Sequence, residues 1–257
     1  MVAAAALEQA RRGLRLLAGL APSPVLDARL RRAAHLLPDL PPEPRLEEVH
    51  WAALLDAATV QETQLFRAPA QLAMIEAALA GPARAARDAG RALRLLSAGC
   101  ATGEEGFTLA AIALHVAGEE APGTTVEVIG LDICRPALLA AEAGAINPRM
   151  GAPLASVPAH HLPWFTGPQG EPRPHPSLRA VLAFRRANLL DLPDDLGVFD
   201  IILCRNVLIY MDPVARLAVL DGLAARLVPG GLLALGATDT GPAQGFAPLG
   251  QAIYRHD

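Results

Sequence analysis

The spacing of apolar positions changes character near residue 82. Before it, Leu7, Leu14, Leu16 and Leu17 recur at roughly helical spacing with Arg11, Arg12 and Arg15 between them. That pattern predicts an amphipathic helix. A second helix is expected from Val25 to Leu37, after the break Pro22-Ser23-Pro24, and Pro38 with Pro41-Pro42 ends it. A third is expected over Leu46–Ala58, and a fourth over Gln71–Leu79, stopped by Gly81-Pro82.

After residue 82 short apolar runs alternate with helical stretches, which predicts a parallel sheet with helices on both faces. The expected strands are Leu93–Ser97, Val126–Leu131 ending at Asp132, Val181–Arg186, Phe199–Cys204 and Leu232–Leu235. A last strand, Gln251–Arg255, is expected to pair near Phe246. Helices are expected at Glu104–Val116, Pro136–Ala143 and Pro213–Leu227. The alternation fails between Asn147 and Ser177, a Pro- and Gly-rich excursion with Trp164-Phe165 as its apolar anchor. The expected division is a helical domain with linker over 1–82 and an α/β domain over 83–257, with an inserted subdomain at about 147–180.

Composition narrows the function. Hydrophobic residues make up 52% of the 257 and charged ones 19%, enough apolar surface for a large core. A net charge of −4 argues against a chain built to coat nucleic acid or an anionic membrane. The chain contains no lysine, so Schiff-base and P-loop lysine chemistry is excluded. Cys100, Cys134 and Cys204 form no C-x-x-C pair, and no apolar run has the length of a transmembrane helix. A reduced, cytoplasmic, soluble protein is expected.

The chemistry concentrates at strand ends. Gly99 and Gly103 lie in the loop after the first strand, where a ligand can approach backbone at a helix N-terminus. Their spacing is not that of a dinucleotide fingerprint, and Asp132 ends the next strand, where an acid can accept from ribose hydroxyls. This favours an adenosyl ligand. Glu104-Glu105 at the helix start suit a cationic group better than a phosphate, though acids there also stabilise the helix dipole. Arg205 and Asn206 follow the fourth strand at the ligand-binding edge. His160-His161 is an adjacent loop pair without nearby Cys or acids in sequence, so no metal is expected.

Five segments occur in order: Gln61-Glu-Thr-Gln-Leu-Phe-Arg67, Ser97-Ala-Gly-Cys-Ala-Thr-Gly-Glu-Glu105, Asp132-Ile133, Asn188-Leu-Leu190 and Cys204-Arg-Asn-Val-Leu-Ile-Tyr-Met-Asp212. Together they resemble the CheR-type chemoreceptor protein-glutamate O-methyltransferases over nearly the whole chain. The resemblance implies a Rossmann-like class I methyltransferase sheet behind a small all-helical N-terminal domain. It implies S-adenosylmethionine as methyl donor, S-adenosylhomocysteine as product, no metal, and glutamates on cytoplasmic chemoreceptor helices as acceptors. Carried over by position, cofactor contacts fall on Gln61, Thr63, Arg67, Gly99, Glu105, Asp132, Asn188, Leu189, Asn206 and Val207. Arg67 and Tyr210 stand where polar groups lie close to the transferred methyl. Receptor docking falls on Arg11, Arg12, Arg15, Arg29, Arg31 and Arg32, with no nucleic acid, no membrane insertion and a monomeric enzyme.

Three positions depart from the family's pattern: Gln61 for Asn, Gly106-Phe107 for Pro-Tyr, and Gly236-Ala-Thr-Asp239 for Gly-His-Ser-Glu. Two other readings use the same residues, a cofactor-binding adaptor or sensor with little catalysis and a methyltransferase of this fold with another acceptor. Pro168, Pro172, Pro174 and Pro176 in the excursion remove backbone donors, so a shrunken subdomain without tether-peptide recognition is expected.

Overall fold

The computed structural model describes residues 4–146, 152–239, 241–242 and 244–257. Three helices, α1 (Ala4–Ala18), α2 (Pro24–Arg32) and α3 (Val49–Ala58), enclose a core of Leu14, Leu30, Trp51, Leu54 and Leu55. Helix α2 starts where Ser23 caps it, its Oγ accepting from Leu26 N at 3.1 Å, with Pro24 at the first helical position. It stops at Arg32, and a 3-10 helix over Ala34–Asp39 takes the rest of the expected length.

Helix α4 (Pro69–Asp88) runs straight through Gly81-Pro82, which corrects the expected stop. Proline normally disfavours a helical residue before it by striking that residue's Cβ, and Gly81 has none. Burial then carries the helix on, because Leu79, Ala83 and Ala86 continue one apolar face against the sheet. The expected boundary at 82 therefore falls inside α4, and α4 packs with the α/β core.

The sheet holds β1 (Leu93–Ala98), β2 (Val126–Asp132), β3 (Leu182–Arg186), β4 (Phe199–Cys204), β5 (Leu227–Leu235), β6 (Phe246–Gly250) and β7 (Ile253–His256) in the order β3-β2-β1-β4-β5-β7-β6. The first five are mutually parallel, while β7 runs antiparallel between β5 and β6. Alternate side chains of each strand enter different cores, as the two-residue period of a strand requires. Leu95, Val128, Ile201 and Leu203 face α4 and α5 (Glu104–Glu120), whereas Leu96, Ile129, Ile202 and Cys204 face α8 (Pro213–Ala224). Helices α6 (Arg135–Ala143) and α7 (Pro176–Val181) flank β3.

In the excursion, residues 147–151 lie outside the described set. Among the described residues from 152 to 175 the only pairing of strand type is a single antiparallel bridge, Thr166 to Pro172. Phe165 anchors the segment in the core, edge-on to Phe66 at 6.0 Å. Among the described residues no helix is long and apolar enough to cross a membrane.

Polar contacts seat the helical domain on the sheet. Asp56 at the end of α3 accepts from Arg135 N and Nε at 2.9 and 2.7 Å. Asn188 Nδ2 donates to Leu17 O at 2.7 Å, and Arg15 pairs with Asp212 at 2.8 Å. Backbone bonds from Ala21 N to Tyr210 O and from Asp212 N to Gly19 O, both 2.8 Å, complete the seam.

Candidate active site

Strand order reverses between β1 and β4, and in an open α/β sheet ligands bind outside the carboxyl ends of strands at such a point. A cleft opens there, between the strand ends and the residues that follow α1 and α3. Thr63, Arg67, Gly99, Glu105, Asp132, Asn188, Leu189, Asn206, Val207 and Tyr210 all line it. Ten positions drawn from five separated segments thus meet in one cavity.

Gly99 is there for space. Its φ is +81°, and a Cβ would lie 2.3 Å from Val207 Cγ2. Its N–H and that of Cys100 donate to Leu131 O at 2.8 and 2.9 Å, which ties the loop to the end of β2. Asp132 then accepts from Ala101 N and Cys134 N, both 2.8 Å, one bond to each carboxylate oxygen. Burial pushes its carboxyl above the ordinary value, against the opposing pull of those N–H donors. Each oxygen keeps a second acceptor site for a ligand hydroxyl.

Glu105 is held from two sides. Ser97 Oγ donates to Oε1 and Arg205 Nε to Oε2, both at 2.7 Å, and all three side chains are buried. Arg205 Nη1 also reaches Arg67 O at 2.6 Å and Gln71 Oε1 at 3.1 Å. Sequence reasoning put Arg205 at the right edge; its role is to neutralise and orient Glu105 and to fix the backbone of Arg67. The identity of its partner was not visible in the sequence, since 100 residues separate them.

Arg67 lies between two residues of positive φ, Phe66 at 50° and Ala68 at 60°. Such non-glycine conformations cost about 1–3 kcal/mol each and persist where surrounding contacts impose them. Phe66 N donates to Thr108 Oγ1 at 3.1 Å, one of those contacts. Among the described residues no hydrogen bond or ion pair engages the Arg67 guanidinium, which leaves it available at the cleft wall.

Gln61 stands apart. Its amide donates to Asp56 O at 3.2 Å and Cys134 Sγ at 2.9 Å, and it is not among the residues lining the cleft. The longer side chain folds back under the segment it was expected to serve. Cys100 and Cys204 are buried, and burial raises both thiols, as expected of inert packing groups. Asp239 in the divergent 236–239 turn accepts from Gly236 N at 2.9 Å, so its carboxylate shapes the turn beside Asn206.

The basic cluster divides. Arg11 pairs with Asp27 and Glu8, and Arg29 donates to Thr59 O at 2.7 Å, so both serve the helical domain. Arg15 is exposed but paired with Asp212, while Arg12, Arg31 and Arg32 are exposed.

The lining fits an adenosine-bearing cation. Gly99 lets its loop pack closely on Val207, Asp132 offers acceptors for ribose hydroxyls, and Glu62 adds negative charge beside the Arg205-paired Glu105. Ile133, Leu189 and Val207 contribute apolar wall.

Comparison with known proteins agrees. Residues 61–247 match the family described as CheR methyltransferase, SAM binding domain. The chain is 31% identical over 194 residues to chemotaxis protein methyltransferase 1 of Pseudomonas aeruginosa, covering 72% of this chain and 68% of that protein. It is 33% identical over 192 residues to chemotaxis protein methyltransferase 1 of Vibrio cholerae, covering 73% and 68%. It is 36% identical over 204 residues to the probable biofilm formation methyltransferase WspC of Pseudomonas putida, covering 78% of this chain and 47% of that protein.

Proposed function

The chain belongs to the CheR methyltransferase family, and on that premise we propose that it methylates glutamate side chains of chemoreceptor proteins, forming glutamyl methyl esters in sensory adaptation or related signalling. The observation that carries the reading is that one cleft is lined both by Asp132 at the end of β2 and by Arg67, whose guanidinium has no partner among the described residues. S-adenosylmethionine, when bound, supplies a methyl group made electrophilic by its sulfonium.

In this reading Asp132 holds the ribose, and Gly99, Asn188, Leu189, Asn206 and Val207 frame the nucleoside. Glu105 faces the cationic end, pinned there by Ser97 and Arg205. Thr63 adds a hydroxyl at the wall, while Gln61 acts indirectly by holding the segment against α3.

The acceptor needs little activation. A glutamate side chain with a pKa of about 4.3 is already ionised at neutral pH, so no general base is required. Orientation, exclusion of water and charge balance are the chain's contribution. Arg67 orients the acceptor carboxylate, and Tyr210 borders the same space. Arg12, Arg31 and Arg32 are the proposed docking cations for the receptor helices, with Arg15 beside them, and the work is placed in the cytoplasm where those helices lie.

The test is radiolabelled methyl transfer from S-adenosylmethionine to receptor-enriched membranes, followed by mild alkali. Glutamyl esters release volatile methanol under base. Arg67→Ala is expected to depress incorporation sharply, because it removes alignment at the reacting centre. Label stable to alkali, or no incorporation by a protein that binds S-adenosylmethionine, would overturn the assignment.

A further inference from the structure

On the α4 side of the sheet, away from the cleft, three imidazoles converge on one carboxylate. Glu76 projects from α4, His115 from α5, and His160 and His161 from a 3-10 helix over Ala159–Trp164. Glu76 Oε1 lies 3.8 Å from His115 Nε2, 3.3 Å from His160 Nε2 and 3.0 Å from His161 Nε2. One donor atom from each of Glu76, His115 and His160 falls within 4.8 Å of the other two. None of the four residues lines the cleft.

We propose that Glu76, His115 and His160 bind a divalent cation of the zinc class, with His161 positioning the Glu76 carboxylate. Ligand distances of about 2.0–2.1 Å in a tetrahedral shell put neighbouring donor atoms about 3.3 Å apart. The separation from Glu76 Oε1 to His160 matches that, the one to His115 is about half an ångström longer, and the third lies within 4.8 Å, so side-chain rotations must draw the two imidazoles together around an ion. Two imidazoles and one carboxylate suit zinc and its neighbours rather than magnesium or calcium, which prefer all-oxygen shells. Three protein ligands leave a fourth position for water.

The surroundings separate ligand from support. His115 and His160 side chains are 36% and 50% exposed, which gives an ion a path in, whereas His161 is fully buried. His161 Nδ1 has no hydrogen-bond partner among the described residues, so its one useful polar contact is Nε2 with Glu76 Oε1. That contact fixes the carboxylate from the inner side, as outer partners do in metal sites. The His161 ring also packs on Phe66, centroids 5.0 Å apart. A cation here would tie α4, α5 and the excursion together behind the 61–67 segment.

The experiment uses the whole chain, stripped with chelator and titrated calorimetrically with zinc chloride, then with magnesium chloride. One zinc per chain at micromolar affinity or tighter is expected, with no magnesium binding. His115→Ala and His160→Ala should each weaken zinc at least tenfold, while S-adenosylhomocysteine affinity stays unchanged as the check on folding. Zinc should also raise the thermal midpoint of the unsubstituted protein and leave unmoved that of a variant carrying both His115→Ala and His160→Ala. Absence of saturable zinc binding by the unsubstituted protein would overturn the proposal, as would variants that bind with its affinity.

Discussion

Asp132 concentrates several demands on one side chain. Two backbone N–H groups use one acceptor site on each oxygen and aim the carboxylate into the cleft. Asp132→Ala should therefore weaken S-adenosylhomocysteine binding by about 1–3 kcal/mol, the cost of leaving ligand hydroxyls without a partner. Because burial raises this carboxyl, its ionised form is lost on acidification earlier than for an ordinary aspartate. Affinity should accordingly decline with falling pH through that raised value, and the decline should vanish in Asp132→Ala. Calorimetry across a pH series reads both effects. Wild-type-like affinity in the variant would reject the assigned role. Arg205 shows a different constraint: its charge and that of Glu105 are both buried, so neither can be removed alone without stranding the other.

At the scale of elements, Asp212 joins two jobs. It caps α8, accepting from Val214 N and Ala215 N at 2.9 and 3.0 Å, and it pairs with Arg15 of α1. Those bonds hold its carboxyl below the ordinary value. The sign follows: a depressed folded-state pKa adds stability that is present above the unfolded value of about 3.9 and lost as pH falls through the depressed one. Asp212→Ala should cost about 1 kcal/mol at neutral pH, mostly the cap, since Arg15 is exposed enough for water to screen the ion pair. Urea unfolding at pH 7 and at pH 3 should show the difference shrinking at the lower pH. An equal gap at both would point to lost packing instead. Helix α4 carries a second element-scale lesson, because a proline that ordinarily ends a helix was overridden by a glycine before it and an apolar face that continues past it.

At the scale of the whole molecule, the helical domain and the sheet border one cleft. Arg12, Arg31 and Arg32 are exposed on α1 and α2, and Val25 and Leu26 of α2 border the cleft. The proposed docking of receptor helices on those cations should be steered by charge and weaken with salt. Charge reversal at Arg31 and Arg32 is expected to lower methylation of receptors several-fold at low ionic strength and to leave cofactor affinity intact. Methylation rates measured against salt for both proteins decide it; identical curves would mean that these arginines are merely solvated.

Much of this was written in local pattern. Short apolar runs and helical periods placed the five parallel strands and most helices, because a strand buried on both faces is apolar throughout and burial on one helix face repeats every turn. The motifs around Gly99, Asp132 and Asn206 were legible for the same reason: glycine and acid positions at strand ends are set by the turn that holds them. Partners distant in the chain were not legible. Arg205 meets Glu105 across 100 residues, and Arg29 turns inward to Thr59 O instead of outward to a partner. Gln61 finds Cys134 instead of the cleft. His160-His161 had no acid near it in sequence, yet folding brings Glu76 from 84 residues away and His115 from another helix. Local period reports which face a residue takes. Only the closed chain decides which other charge, ring or carbonyl waits there.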